Sequence, residues 1–395
     1  MTAVPTGAAV RARRAISVIF GIHGVVQGTF ATRIPWIADH VGAEPGSLGL
    51  ALLFASVGAI CAMPFTGRLV HRLPARVVVP ALLVPWCLGI VLAALAPTVP
   101  LLAAALFFAG AMAGASDVAM NAQGVVVERA YGRSIMSGLH GMWSLGALAG
   151  AGVGVLAAHQ DVSAPVHFLI VGVILAIGAV VVSPWLMEAE RAAEEDVPLF
   201  ALPPRPAVLI AFVGFAAIFA EAAATDWAAV YLVDVAHASA AIGAAGYSGF
   251  AATMTLARFV GDRVVNRFGP VRTVRVGGAA ATVGAVLVAA ARSPVPAIAG
   301  FVLLGIGVSV AVPLAFAAAG KAGPRPAHQI AGVATIVYGA GMAAPAAIGG
   351  VAQATTLSVS FLVVAVLAAF LAVGAGALRV ASAEPAEQPV EPSPR

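Results

Sequence analysis

The sequence predicts an all-α membrane protein of twelve transmembrane helices, arranged as two pseudo-symmetric six-helix bundles. Three observations carry that reading: an apolar composition, twelve apolar segments of bilayer length, and a repeat that superposes the second half of the chain on the first. Of 395 residues, 61% are Ala, Val, Ile, Leu, Met, Phe, Trp, Tyr or Cys and 10% are charged. Soluble domains run at about 45–50% apolar even with glycine counted. The mean hydropathy is +1.01. A soluble fold has nowhere to put so much apolar surface, and a helix needs about 20 apolar residues to cross a bilayer.

The expected spans are 15–38, 47–70, 76–96, 99–127, 134–158, 165–187, 207–233, 239–265, 271–291, 295–319, 328–352 and 356–379. The first follows Arg11, Arg13 and Arg14 and imitates a secretory signal. His23 and Gln27 interrupt its apolar run, however, and no small-residue cleavage site follows, so it is expected to be retained. If the N-terminus is cytoplasmic, the breaks at 39–46, 97–98, 159–164, 234–238, 292–294 and 353–355 face outward. Of the 21 Lys and Arg residues, only Arg33 and Arg292 lie at or near that face. Basic residues collect on the cytoplasmic side, so both termini are expected inside a cytoplasmic membrane. That topology also accounts for the pI of 9.6, and no nucleic-acid partner is expected.

Five stretches divide the chain. Residues 1–14 are a cytoplasmic N-terminal segment, 15–187 the first six-helix bundle, and 188–206 (EAERAAEEDVPLFALPPRP) a cytoplasmic central loop. Residues 207–380 form the second bundle, and 381–395 a Pro- and Glu-rich tail expected to be disordered. Cys61 and Cys87 each sit alone within a span and read as small buried hydrophobes.

The two halves repeat. A basic loop follows the second span of each: Gly67-Arg-Leu-Val-His71-Arg72-Leu-Pro74-Ala-Arg76 and Asp262-Arg-Val-Val-Asn266-Arg267-Phe-Gly269-Pro-Val-Arg272. Arg72 and Arg267 are 195 residues apart, and the same offset sets Trp143 on Tyr338, Gly146 on Gly341 and Gly154 on Gly349. The loop resembles the major facilitator superfamily signature G-x-x-x-D-R-x-G-R-R, with His71 and Asn266 where the family has aspartate. The resemblance implies two parallel six-helix halves with the substrate site between them. It also implies that Arg72 and Arg267 help close an inner gate, without an aspartate latch. Phe30-Ala-Thr-Arg-Ile-Pro-Trp36, Met120-Asn-Ala-Gln-Gly124 and Ser137-Gly-Leu-His-Gly-Met-Trp143 are similar to the MosC/YbjJ-like branch of that superfamily. One member of the branch is associated with rhizopine, an inositol-derived compound.

Ionisable groups inside the spans carry the functional reading, because a carboxylate in hydrocarbon costs roughly 2.5–3.5 kcal/mol on insertion scales. Glu221 and Asp226 lie within the apolar stretch Ala207 to Val233. His23 and Gln27 are i,i+4 and share one helix face. In the family the first and seventh spans face each other across the pseudo-twofold axis, which sets Gln27 opposite Glu221 at similar depth. Arg33 and Asp226 lie roughly 8–9 Å further outward. They are expected to pair as an outer gate, leaving Glu221 without a cation.

Low dielectric favours the neutral form of an unpaired carboxyl, which suits a proton carrier. Glu221 is the first candidate for proton coupling, with Asp117 and His140 behind it; a structural hydrogen bond from Glu221 to Gln27 is the plainer alternative. Asp117 and Asn121 are also i,i+4. Counting outward from the turn at 130–133 brings them beside His140, Trp143 and Ser144, a set suited to a polyhydroxylated or amine-bearing small molecule or to an internally satisfied clamp. The substrate-binding candidates are therefore His23, Gln27, Asp117, Asn121, His140, Trp143 and Glu221. Glu128 and Arg129 join the inner-gate candidates, against the alternative of a solvated loop. Gly146, Gly150 and Gly154 form a small-residue stripe for close helix packing.

No nucleophile has a plausible setting, no second histidine stands at metal-ligand spacing and no nucleotide-binding motif occurs. Catalysis, metals and cofactors are not expected. The preferred reading is a monomeric, proton-coupled secondary transporter of a small polar organic solute (sugar-, cyclitol- or amine-like), working by alternating access in a lipid bilayer. Its rivals are a drug or secondary-metabolite efflux antiporter and a non-transporting membrane sensor or scaffold.

Overall fold

The computed structural model describes residues 6–132, 135–188, 203–322 and 326–379. Much of the central loop (188–206) and the tail (381–395) lies outside these. The first half of the chain contributes α1 (Gly7–Ala31), α2 (Ile34–Val41), α3 (Pro45–Arg72), α4 (Ala75–Leu95), α5 (Val99–Tyr131), α6 (Met136–His159) and α7 (Ala164–Val182). The second contributes α8 (Val208–Asp234), α9 (Ala240–Phe268), α10 (Pro270–Ala290), α11 (Pro294–Val308), α12 (Ala311–Ala319), α13 (Pro326–Ala354) and α14 (Leu357–Gly374).

Local chemistry sets the helix ends. Proline stands in the first turn of α3, α5, α7, α10 and α11, where its missing N–H costs nothing. The Ser239 and Thr356 hydroxyls accept from the backbone N–H of Ile242 and Val359 to cap α9 and α14. Gly42 and Gly132 end α2 and α5 with φ of 64° and 74°, the left-handed conformation that glycine adopts without strain.

Among the described residues, ten helices are long and apolar enough to cross a membrane, with α11 and α12 counted together; α1 with α2, bent by 48°, makes an eleventh. The twelfth rod is α9. Its 29 residues suffice for a span, but Arg258, Asp262, Arg263 and Arg267 keep its hydropathy below that of the others.

Each half packs chiefly on itself, α1 on α6 and α3 on α5 in the first, α10 on α14 and on α11 in the second. Glycine lets backbones touch at these crossings. A Cβ at Gly24 would land on the Trp143 carbonyl oxygen and one at Gly150 on that of Val25, so the Gly146–Gly150–Gly154 stripe lies directly against α1. In hydrocarbon, where no hydrophobic effect drives helices together, such approach supplies dispersion contact. The halves meet through α3 with α13, α6 with α9, and α1 and α2 with α8. The repeat exchanges the first two of these pairs, as a pseudo-twofold axis requires. Cys87 is buried as expected, whereas Cys61 is exposed on α3.

The face where α1 begins and α14 ends is here termed the terminal face, and the opposite one the far face. At the far face the halves are clasped. The Gln353 amide donates to Glu44 Oε2 at 2.6 Å, and its Oε1 accepts from the Gly46 N–H at 3.2 Å. Gly49 and Gly349 bring the α3 and α13 backbones into contact just below.

Candidate functional site

Glu221 lies at the middle of α8 and borders three cavities in the seam between the halves. One of about 330 Å³ lies toward the far face and is lined by Gln27, Phe30, Trp86, Glu221, Asp226 and Pro345, among others. A small one of about 90 Å³ lies between α6, α8 and α9, beside Gln27, Trp143 and Tyr247. The largest, of about 570 Å³, reaches past His140, Arg258 and Tyr338 to Val265 and Pro313, toward the terminal face.

The expectation that Glu221 lacks a cation is overturned. Arg258 of α9 points its Nη2 at both carboxylate oxygens, 3.1 Å from each. The pair is half-sheltered, with side-chain exposures of 31% for Arg258 and 15% for Glu221. Arg258 also donates from Nε to the Ser309 carbonyl at 3.2 Å. That carbonyl belongs to the break between α11 and α12, where the oxygens at the end of α11 lack helical partners. Nη1 of Arg258 bonds no described residue. Arg258 escapes sequence reasoning because it reads as one of the basic residues at the cytoplasmic edge of its span. In fact α9 continues to Phe268, ten residues further, which leaves Arg258 roughly 15 Å inside the helix end.

The Arg33–Asp226 gate does not form either. Arg33 is only 4% exposed, and its Nη2 donates to the Val162 carbonyl at 2.6 Å. It sits where α1 bends into α2, and the bend swings it toward the α6–α7 turn. Asp226 makes no hydrogen bond or ion pair with a described residue and lines the far cavity. The carboxyl expected to be paired thus bonds no described residue, and the one expected to lack a cation is paired.

The cluster expected around Asp117, Asn121, His140 and Trp143 is split because α1 lies between α5 and α6. Those two helices barely touch, while α1 packs on both. Asn121 donates to Asp117 Oδ1 at 3.1 Å and to its carbonyl at 2.9 Å, a self-contained turn on α5. Trp143 Nε1 donates to His23 Nδ1 at 3.1 Å, and His23 Nε2 lies 3.2 Å from the Ala113 carbonyl. An indole only donates and a carbonyl only accepts, so His23 is a neutral imidazole protonated at Nε2 that ties α1 to α5 and α6. Its nitrogens are occupied, and it is not free to take a ligand or carry a proton in this conformation. His140 is exposed, tilts against Phe20 with 5.4 Å between ring centroids, and lies 3.0 Å through Nδ1 from the Met136 carbonyl. Gln27 shares the far and the small cavity with Glu221.

Replacing His23 by phenylalanine strands the Trp143 N–H and the Ala113 carbonyl. The expected cost is about 1–3 kcal/mol, read as a lower unfolding midpoint in detergent with the pH dependence of any transport unchanged. A changed pH dependence would overturn the structural role.

At the terminal face no hydrogen bond or ion pair joins Arg72, Arg129 or Arg267 to the other half among the described residues. Glu128 Oε2 accepts from the N–H groups of Ile135 at 2.6 Å and Met136 at 3.0 Å, capping α6 within its own bundle. Arg72, Arg129 and Arg267 are exposed, Arg267 lying over the neighbouring Phe268 ring at 5.4 Å. The side chain of His71 lies outside the description.

The Major Facilitator Superfamily profile matches residues 16–345. An uncharacterized transporter, y4wD, of Sinorhizobium fredii (strain NBRC 101917 / NGR234) is 36% identical over 369 residues, covering 93% of this chain and 98% of the relative. Membrane protein MosC of Rhizobium meliloti is 28% identical over 352 residues, covering 87% and 84%. Among solved structures, the nucleoside transporter NupG superposes with a TM-score of 0.71 at 15% identity, over 94% of this chain and 99% of that one.

Proposed function

The chain belongs to the Major Facilitator Superfamily, and on that premise we propose that it is a proton-coupled secondary transporter of a small polar organic solute, sugar-, cyclitol- or amine-like in size. The observation that carries this reading is the Glu221–Arg258 pair, set in the seam, with Glu221 bordering all three cavities described there and Arg258 two of them. In such a site a proton on Glu221 removes the charge that holds Arg258, so protonation and the geometry of the seam are linked. The two bundles then rock about that seam to expose it to each side in turn.

The clasp of Glu44 with Gln353 and the cavity reaching toward Val265 support a conformation closed at the far face and hollow toward the terminal face. The terminal face carries Arg11, Arg13, Arg14, Arg72, Arg76, Arg263, Arg267, Arg272 and Arg275, which favours a cytoplasmic placement of both termini. The seam needs no second chain to complete it, consistent with a monomer.

The test is transport by purified protein in liposomes under an imposed pH gradient. Glu221→Gln is expected to abolish gradient-driven accumulation while keeping solute exchange at equal pH, because glutamine retains the polarity but not the proton. Full pH-driven accumulation by that variant removes Glu221 from coupling.

A further inference from the structure

We infer that Arg258 is the anchor for a carboxylate on the transported solute, and that Glu221 is the internal stand-in that occupies this anchor when solute is absent. The inference deepens the transport reading by naming the chemical class of the solute, and it rests on that reading only for the word transported. Three observations lead to it. The guanidinium is fixed from behind by the bond from Nε to the Ser309 carbonyl, which orients the terminal nitrogens toward the cavity. Nη2 already holds two carboxylate oxygens at 3.1 Å, so the geometry of a bound carboxylate is displayed by the protein's own side chain. Nη1 bonds no described residue, and Arg258 lines the cavity of about 570 Å³, room enough for a compact organic acid.

Charge balance then dictates the coupling. Arg258 and Glu221 sum to zero, and a bare carboxylate placed beside them would leave a net negative charge in low dielectric. If Glu221 takes up one proton as the solute carboxylate takes its place on Arg258, the site stays neutral: one proton and one anion arrive, and no other co-reactant is needed. The ionisable groups facing Glu221 are Arg258 and Tyr247 from α9, His140 from α6, Tyr338 from α13, and Asp226 five residues along α8 itself. Of these only Arg258 bonds the Glu221 carboxylate. Asp226 lines the far cavity, which Glu221 also borders, but not the cavity of about 570 Å³ that holds Arg258.

Chemical rescue tests the anchor without knowledge of the solute. Glu221→Ala vacates the carboxylate position, and acetate is small enough to fill it. The full-length variant in detergent is expected to gain about 2–4 °C in unfolding midpoint at about 50 mM acetate over sodium chloride of equal ionic strength. Acetamide is expected to give no gain, and Glu221→Ala/Arg258→Gln no response to acetate. D-glucuronate, but not D-glucose, is expected to act like acetate. Should Glu221→Ala fail to fold, Glu221→Ser, which also empties the carboxylate position, gives the same comparison.

A response no larger than that to chloride, or an equal response in the double variant, overturns the inference. Because rescue is an equilibrium reading on solubilised protein, its failure alongside measured flux refutes the anion anchor and leaves the transporter standing. Rescue with no flux of D-glucuronate under a pH gradient keeps the anchor and counts against transport.

Discussion

Arg258→Gln is expected to abolish accumulation of solute and to destabilise the protein, whereas Arg258→Gln combined with Glu221→Gln is expected to recover most of the lost stability. Removing one partner of a fully buried ion pair costs roughly 3–5 kcal/mol, because the survivor is left as an uncompensated charge. Here the side chains are 31% and 15% exposed, so water in the cavity relieves part of that cost. About 2 kcal/mol for the single variant is the corresponding figure. Two glutamines can hydrogen-bond each other and neither leaves a charge behind, which is why the double variant should be the more stable one. The measurement is a double-mutant cycle on unfolding midpoints in detergent, run beside proteoliposome uptake. If the losses of the two single variants add up to that of the double variant, the pair contributes no coupling and Glu221 is held by something other than Arg258. Arg258→Lys separates charge from shape: lysine keeps the charge but loses the fork that contacts Glu221 and Ser309 together. Partial stability without accumulation is expected of it.

How far the site could be read from sequence follows from what each inference needed. Composition and apolar run length sufficed for the rods, because a bilayer imposes them whatever their neighbours. Most ends moved by only a few residues, the eighth span, expected over 239–265, being α9 at Ala240–Phe268, but α1 begins at Gly7, eight residues before the expected start of the first span and inside the expected N-terminal segment. The Gly146–Gly150–Gly154 stripe likewise announced a tight crossing, and it packs on α1. Partner assignments fared differently. Depth along a helix can be counted, but azimuth and adjacency are set by packing. A short turn between their helices points to Asp117 and His140 as neighbours, yet the glycines of α1 and α6 bring α1 between them. Depth alone pairs Arg33 with Asp226, whereas the 48° bend after α1 turns Arg33 toward Val162. Arg258 is not legible as a site residue because a basic residue near the end of an apolar run looks like a membrane-edge residue. The available signal was that an arginine so far inside a 29-residue helix must have a partner or a cavity.

Gly49→Val is expected to hold the far face open and so stop turnover in a protein that still folds. A Cβ at Gly49 would land on the carbonyl oxygen of Pro345, and one at Gly349 on that of Pro45. Neither obstacle is a flexible side chain that could turn aside; each is backbone of the opposite bundle. Overpacking of this kind costs about 1–3 kcal/mol, and here the cost falls only on the conformation in which α3 and α13 are clasped. At 1.4 kcal/mol per decade that shifts the balance between closed and open far faces by roughly 5- to 150-fold. The Glu44–Gln353 hydrogen bond, being exposed, is too weak to resist it. A cysteine at Ser56, which lines the far cavity, reports the change when Cys61 and Cys87 are replaced by serine. Its labelling by a membrane-impermeant maleimide from the far side should accelerate by a comparable factor. Gly350→Val is the matched control, because a Cβ there meets nothing within 4 Å. Equal labelling rates in the two valine variants would show that the α3–α13 contact does not govern access to the cavity, and that the far gate lies elsewhere in the seam.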